Sequence, residues 1–207
     1  MLDKSTLATA LRFTGYTLAI VTCTAALPVV VRSGGVSVAK ESGPIEMLQL
    51  ALLSASMLVL AGGAVWLPRM RLLLLGLATA AGFAVCREMD TTLGRLIPVV
   101  GWKFGVLLPV GGIVLAWMHR EAIPAQVALF ARSRALVLLW AGFVMAVPVA
   151  QLIGHGNFLQ AAMGDEYTRD YKRLIEELGE LIGYMLFFMG TVEFLVEFRR
   201  HSGCQDG

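Results

Sequence analysis

Charge is scarce in this chain. Charged side chains make up only 15% of its 207 residues, against about 25% in a soluble globular domain, so little of the surface can be built to face water. The 17 basic and 15 acidic residues form no basic run long enough for a nucleic-acid surface, which excludes that class of partner. Cysteine is nearly absent too: Cys23, Cys86 and Cys204 stand far apart with neither disulfide nor metal spacing, so cysteine chemistry is not the function. There is no Gly-x-Ser-x-Gly elbow, His-Glu-x-x-His pair, phosphate loop or Cys-x-x-Cys. "EELGEL" opens on paired glutamates as some intramembrane proteases do. The Arg and the paired histidines of that pattern are missing, and the match fails.

What the chain has in quantity is apolar length. Hydrophobic residues are 57% of the total and fall into six windows, at 13–31, 45–67, 72–86, 104–118, 135–153 and 174–197, each near the length a bilayer core demands. The fold class this predicts is all-α: a polytopic membrane helix bundle of about six transmembrane helices, forming a single transmembrane domain over 1–207. The first window follows Lys4 and Arg12 and reads as a retained anchor in preference to a cleaved signal peptide. Ala78, Ala80, Gly82 and Ala84 allow close approach and place the third span at the centre of the bundle. Kinks are expected at Pro109 with Gly111 and Gly112, and at Pro148. The connector "TTLGRLIPVVGW", 91–102, is too apolar for a solvated loop and too short to span, which predicts a re-entrant or interfacial segment covering the site. Trp66, Trp102, Trp117 and Trp140 include three near span ends, as an aromatic belt requires.

Alternating spans divide the polar residues between two sides. One side carries nine basic residues: Lys4, Arg12, Arg69, Arg71, Arg120, Arg132, Arg134, Arg199 and Arg200. The other carries eight, Arg32, Lys40, Arg87, Arg95, Lys103, Arg169, Lys172 and Arg173, so the basic count alone barely orients the chain. The compact "RMR" loop between spans two and three places both termini in the cytoplasm. The acids are less even: Glu41, Glu46, Glu88, Asp90, Asp165, Glu166, Asp170, Glu176 and Glu177 gather on the second side, with Glu180 one turn deeper. Acids contribute little to topogenesis, so their asymmetry points to function.

Three acidic motifs should meet there: "GPIEMLQ" at the start of span two, "CREMD" at the end of span three and "IEELGEL" at the start of span six. Glu46 and Gln49 share a helical face, continued inward by Leu53 and Ser56, and Glu177, Glu180 and Tyr184 form an i, i+3, i+7 stripe. Carboxylates facing lipid would be costly, so the stripe should turn into the bundle. The candidate reactive carboxylates are Glu46, Glu88, Glu177 and Glu180, and Gln49, Arg87, Lys103 and Tyr184 are the candidate substrate-binding groups. Carboxylates held together at low dielectric must share protons, pair with cations or bind a metal. Glu46, Glu88, Glu177, Glu180 and His155 are the candidate ligands of a divalent metal ion, a donor set suited to hard or borderline ions. Di-iron bundles use Glu-x-x-His, whereas here the motif is Glu-x-x-Glu with His119 and His201 on the opposite side, so a histidine-rich oxygenase centre is not expected. The bland alternative is a belt of interfacial charges, with Arg173 and Glu177 paired four apart and Asp165 capping span six. Glu193 and Glu197 at the other end read as snorkelling or locally paired.

The motifs Gly43 to Gln49, Arg87 to Asp90 and Glu176 to Tyr184 resemble those of small bacterial multi-span inner-membrane proteins of unassigned function. The resemblance touches three of six spans and implies that the three motifs belong together in a bacterial inner-membrane protein. The resulting expectation is an outer-leaflet cation or metal pocket acting on or carrying a membrane-associated substrate, lipid-like or a small solute. The competing expectation is a noncatalytic subunit whose charged mouth docks a membrane-protein partner.

Overall fold

The computed structural model describes residues 3–39 and 43–203. Lys40, Glu41 and Cys204, and the side chains of Lys4, Arg200 and His201, lie outside the described residues. Within them the chain is helical throughout, with no strand. Six helical stretches are long and apolar enough to cross a membrane: Ser5–Gly34, Ser37–Trp66, Pro68–Glu88, Gly101–Met118, Arg134–Ile153 and Arg169–Arg199. By length and composition these are the spans of a membrane protein. Large apolar side chains such as Val29, Leu58, Val65, Val99, Ile113 and Val137 cover its outside, the reverse of a water-soluble surface.

Local chemistry sets the boundaries. Helix α1 (Lys4–Gly34) ends at Gly35, and α2 (Pro44–Trp66) begins with Pro44, whose missing N–H is no loss at a helix start. Helix α3 (Arg71–Glu88) follows a short 3₁₀ turn and is continued, after Met89, by α4 (Asp90–Leu96). A 3₁₀ turn, Gly101–Val106, leads into α5 (Leu107–Met118). Pro109 thus falls in the first turn of α5, where a proline fits, and the expected kink there becomes a helix start. Helix α6 (Ile123–Phe130) lies along the base of α3, and its buried Gln126 accepts the Leu73 N–H at 3.0 Å, one of the donors a helix start leaves over. Ser133 caps α7 (Arg134–Val144) through the Leu136 N–H. Pro148 sits in a π-helical turn, Met145–Val149, which absorbs its missing donor before α8 (Ala150–Ile153). After α9 (Gly156–Met163), α10 (Arg169–Gly203) is initiated by Thr168, whose hydroxyl accepts the Tyr171 N–H, and not by Asp165, which lies in the preceding 3₁₀ turn.

The axis of the bundle is α10, not α3. It packs on α7, α2, α8 and the π-turn, whereas α3 packs on α2 and α5. Half of the α10 span is buried, against none of α1. The cause is a seam of small residues at four-residue spacing, Gly142, Ala146 and Ala150 against Gly179 and Gly183. A Cβ on Gly183 would stand 2.5 Å from the Ala146 backbone nitrogen, and one on Gly142 would stand 2.7 Å from the Gly183 carbonyl oxygen. Backbone meets backbone there, so neither position tolerates a side chain. Apolar clusters flank the seam: Leu60, Met70, Leu74, Leu139 and Phe194 towards one end, and Ile45, Leu181, Met185 and Met189 towards the other.

The 91–102 connector is a short helix and turn packed on α3 and the Gly101–Val106 turn. Its apolar residues point outward, Val99 being 94% exposed, as suits a segment lying against lipid. Three of the four tryptophans, Trp66, Trp117 and Trp140, are likewise exposed, while Trp102 packs edge-on against Phe83.

Candidate functional site

At one end of the bundle α2 starts, α3 ends, α8 closes span five and α10 enters the apolar layer. All four contribute polar groups to a single cluster, α10 three of them and α3 two. Helical spacing points Glu177, Glu180 and Tyr184 the same way, towards α2 and α3. Tyr184 donates its hydroxyl to Glu88 Oε1 at 2.8 Å. Arg87 Nη2 donates to Glu180 Oε1 at 2.8 Å and lies 3.5 Å from Glu88 Oε1, so one guanidinium faces two carboxylates. The Gln49 amide donates to the Glu177 carbonyl oxygen at 2.9 Å and to its Oε2 at 3.0 Å.

Burial is deepest where the helices cross. Gln49 is fully buried, Glu180 is 4% exposed and Tyr184 7%, while Glu88 and Glu177 are half-buried. One ligand oxygen from each of Glu88, Glu177 and Glu180 lies within 4.8 Å of the others, a separation a single cation could bridge. Each of these carboxylates has one oxygen held by a donor, from Tyr184, Gln49, or Arg87 with Gln151, which fixes its orientation as outer partners fix metal ligands. Arg87 contacts Glu88 and Glu180 but not Glu177, so the three carboxylates are not matched by this one guanidinium. Gln49 Oε1 is buried with no hydrogen-bond partner, while its amide nitrogen is already on Glu177, so an unused acceptor sits beside the carboxylates.

The sequence-designated residues divide into two groups. Glu88, Glu177, Glu180, Gln49, Arg87 and Tyr184 come together. Glu46, half-buried one turn before Gln49, is outside the set of three within bridging distance, as is His155, exposed just before α9. Lys103 is exposed on the Gly101–Val106 turn. At the start of α10 Lys172 pairs with Glu176 at 2.7 Å, and Glu177 accepts from the Gln49 amide. Asp90 is exposed at the start of α4 and accepts the Thr91 hydroxyl, away from Glu88 as two helical residues predict.

Sequence reasoning missed Gln151, whose amide donates to Glu180 Oε1 at 3.2 Å. The signal was present: between Ala135 and Ile153 it is the one amide or charged side chain in an otherwise apolar span.

The opposite end of the bundle holds a different polar contact. Glu193, 1% exposed, receives Arg12 Nε at 3.0 Å and Nη2 at 2.9 Å, a two-pronged ion pair, and the Tyr16 hydroxyl at 3.3 Å. Pairing was expected at Glu193, but locally; the structure makes it between α1 and α10, beside the partly buried apolar contacts of Tyr16, Ile20 and Leu27. Glu197 accepts the Arg134 backbone N–H at 3.0 Å.

No protein-family model, curated protein or solved structure matches this chain, so its function is argued from these contacts alone.

Proposed function

We propose that the Glu88, Glu177 and Glu180 cluster binds one divalent cation, with Gln49 Oε1 as a further oxygen ligand, and that the protein uses this ion to act on or carry a membrane-associated substrate. The observation that carries the reading is the clustering itself: three carboxylates have ligand oxygens within 4.8 Å of one another while Arg87 contacts only Glu88 and Glu180, an arrangement that a shared cation would complete. An all-oxygen donor set favours a hard ion such as Mg²⁺, Ca²⁺ or Mn²⁺ over a thiophilic one. Arg87 extends to the edge of the cluster with 38% of its side chain exposed, where it can receive an anionic group of a lipid-like or small solute substrate. The orientation that goes with this reading puts the cluster at the outer leaflet of a bacterial inner membrane and both termini in the cytoplasm. The test is metal content and Mn²⁺ titration of purified protein beside its Glu88→Gln and Glu177→Gln variants. One ion per chain, lost in both variants without loss of folding, supports the proposal. Equal ion content in all three would overturn it. A cysteine introduced near Asp165 in a cysteine-free background should react with an impermeant thiol reagent in intact cells, and one near Arg69 should not; the reverse pattern inverts the orientation.

A further inference from the structure

The far end of the bundle carries a groove of about 520 Å³ where α1 and α7 begin and α10 ends. Its polar lining includes Thr6 and Thr9, the two arginines Arg12 and Arg134 and the two glutamates Glu193 and Glu197, and its apolar lining includes Phe13 and Val196. The charges are not equivalent. The Arg12 guanidinium is matched to Glu193 through two N–H groups and to the Thr9 hydroxyl through a third, at 3.4 Å. Arg134 is different: its guanidinium forms no ion pair within 4.0 Å among the described residues, although its charge reaches Glu193, and Glu197 accepts its backbone N–H. Yet the side chain is held in place, because Nη1 donates to Thr9 Oγ1 at 3.0 Å across the groove. An anchored guanidinium with its Nε and Nη2 edge unused presents the two parallel donors that match a phosphate.

The surroundings favour a lipid as the source of that phosphate. The groove lies where three apolar spans terminate together, the depth at which headgroups sit, and its floor of Phe13, Ala10 and Val196 continues as apolar helix surface along which an acyl chain can lie. We propose that the α1–α7–α10 groove is a phospholipid headgroup site in which Arg134 takes the phosphodiester and the neighbouring Thr6 hydroxyl supplies a further donor. This site is separate from the carboxylate cluster, and neither proposal depends on the other.

The experiment uses the full chain, purified in a neutral detergent and delipidated, with thermal unfolding and native mass spectrometry as readouts. Dioleoyl phosphatidylglycerol should stabilise the protein and remain bound; dioleoylglycerol, with the same chains and no phosphate, and millimolar inorganic phosphate should not. Arg134→Gln should weaken retention of the phospholipid by at least about tenfold, since a two-pronged charge-assisted contact is lost. Arg134→Lys, which keeps the charge but not the fork, should fall between, and Arg132→Gln, an exposed arginine two residues away, should behave as the parent. Lipid-free melting of each variant separates a binding defect from a folding one, and Arg134→Lys carries the comparison if Arg134→Gln folds poorly. Equal stabilisation by dioleoylglycerol removes the phosphate from the account, and equal stabilisation by inorganic phosphate removes the membrane as its source. Arg132→Gln and Arg134→Gln losing lipid equally would reduce the effect to general surface charge. Any of these three results overturns the proposal.

Discussion

Glu180 and Glu193 lie 13 residues apart on α10, about 20 Å by helical rise, and both are nearly removed from water. Their surroundings differ in arithmetic. Around Glu193 one carboxylate meets one guanidinium through two hydrogen bonds, with a tyrosine hydroxyl filling in, and the contact is complete. Around Glu180 two further carboxylates lie within bridging distance, only one of them, Glu88, shares its guanidinium, and a buried amide oxygen has no donor. The first arrangement ties α1 to the bundle and asks for nothing more. The second is satisfied only by adding positive charge. A buried ion pair is therefore no guide to function in an apolar protein; an unbalanced one is.

The comparison predicts opposite responses to substitution. The largest effect is expected at the balanced end: Glu193→Ala strands Arg12 against α10 and should lower stability by about 3 kcal/mol, measured by thermal or denaturant unfolding in detergent, with the same loss whether or not divalent ions are present. Replacing both Arg12 and Glu193 with leucine should recover most of that loss, because a matched apolar pair replaces a matched charged one. A double variant no better than Glu193→Ala would mean that the contact does more than tie two helices. At the other end, Arg87→Gln removes the guanidinium that contacts Glu88 and Glu180 and should cost about 2 kcal/mol in chelator, a deficit that Mn²⁺ reduces. If Mn²⁺ leaves the deficit untouched, the ion is not compensating the same charges. Glu177→Gln should change stability in chelator by less than about 1 kcal/mol, since it removes one excess charge while keeping shape, and it should abolish the response to added ion. The smallest effect should be that of Gln151→Leu, about 0.5 kcal/mol and with the response to added ion retained, for one exposed amide donor on Glu180 Oε1 that Arg87 also holds.

Much of this was legible from spacing alone. Hydropathy located all six spans, because a bilayer sets helix length directly, and the i, i+3, i+7 spacing of Glu177, Glu180 and Tyr184 placed them on one face. Alternation of spans then brought "CREMD" and Gln49 to the same end. What spacing does not encode is which helix is central. Small residues in α3 suggested it, but close approach needs small residues on both partners, and that condition is met by Gly142, Ala146 and Ala150 against Gly179 and Gly183. Nor does membership of one side of the bilayer give distance: Glu46, His155 and Lys103 share an end with the cluster without joining the three bridging carboxylates, since lateral position depends on helix rotation and loop path. The Arg12–Glu193 pair joins residues 181 apart in sequence, beyond any local pattern.

The claim that the Glu180 cluster is completed by a divalent ion is tested most directly by thermal unfolding of the parent protein after exhaustive chelation, with and without added Mg²⁺, Ca²⁺ or Mn²⁺. An ion that binds only the folded chain stabilises it by about 2.7 kcal/mol at one hundred times its dissociation constant. The account predicts a midpoint that falls on chelation, rises in proportion to the logarithm of added ion, and does neither in Glu177→Gln. A midpoint indifferent to chelator and to all three ions, or a response equally strong in Glu177→Gln, would contradict it.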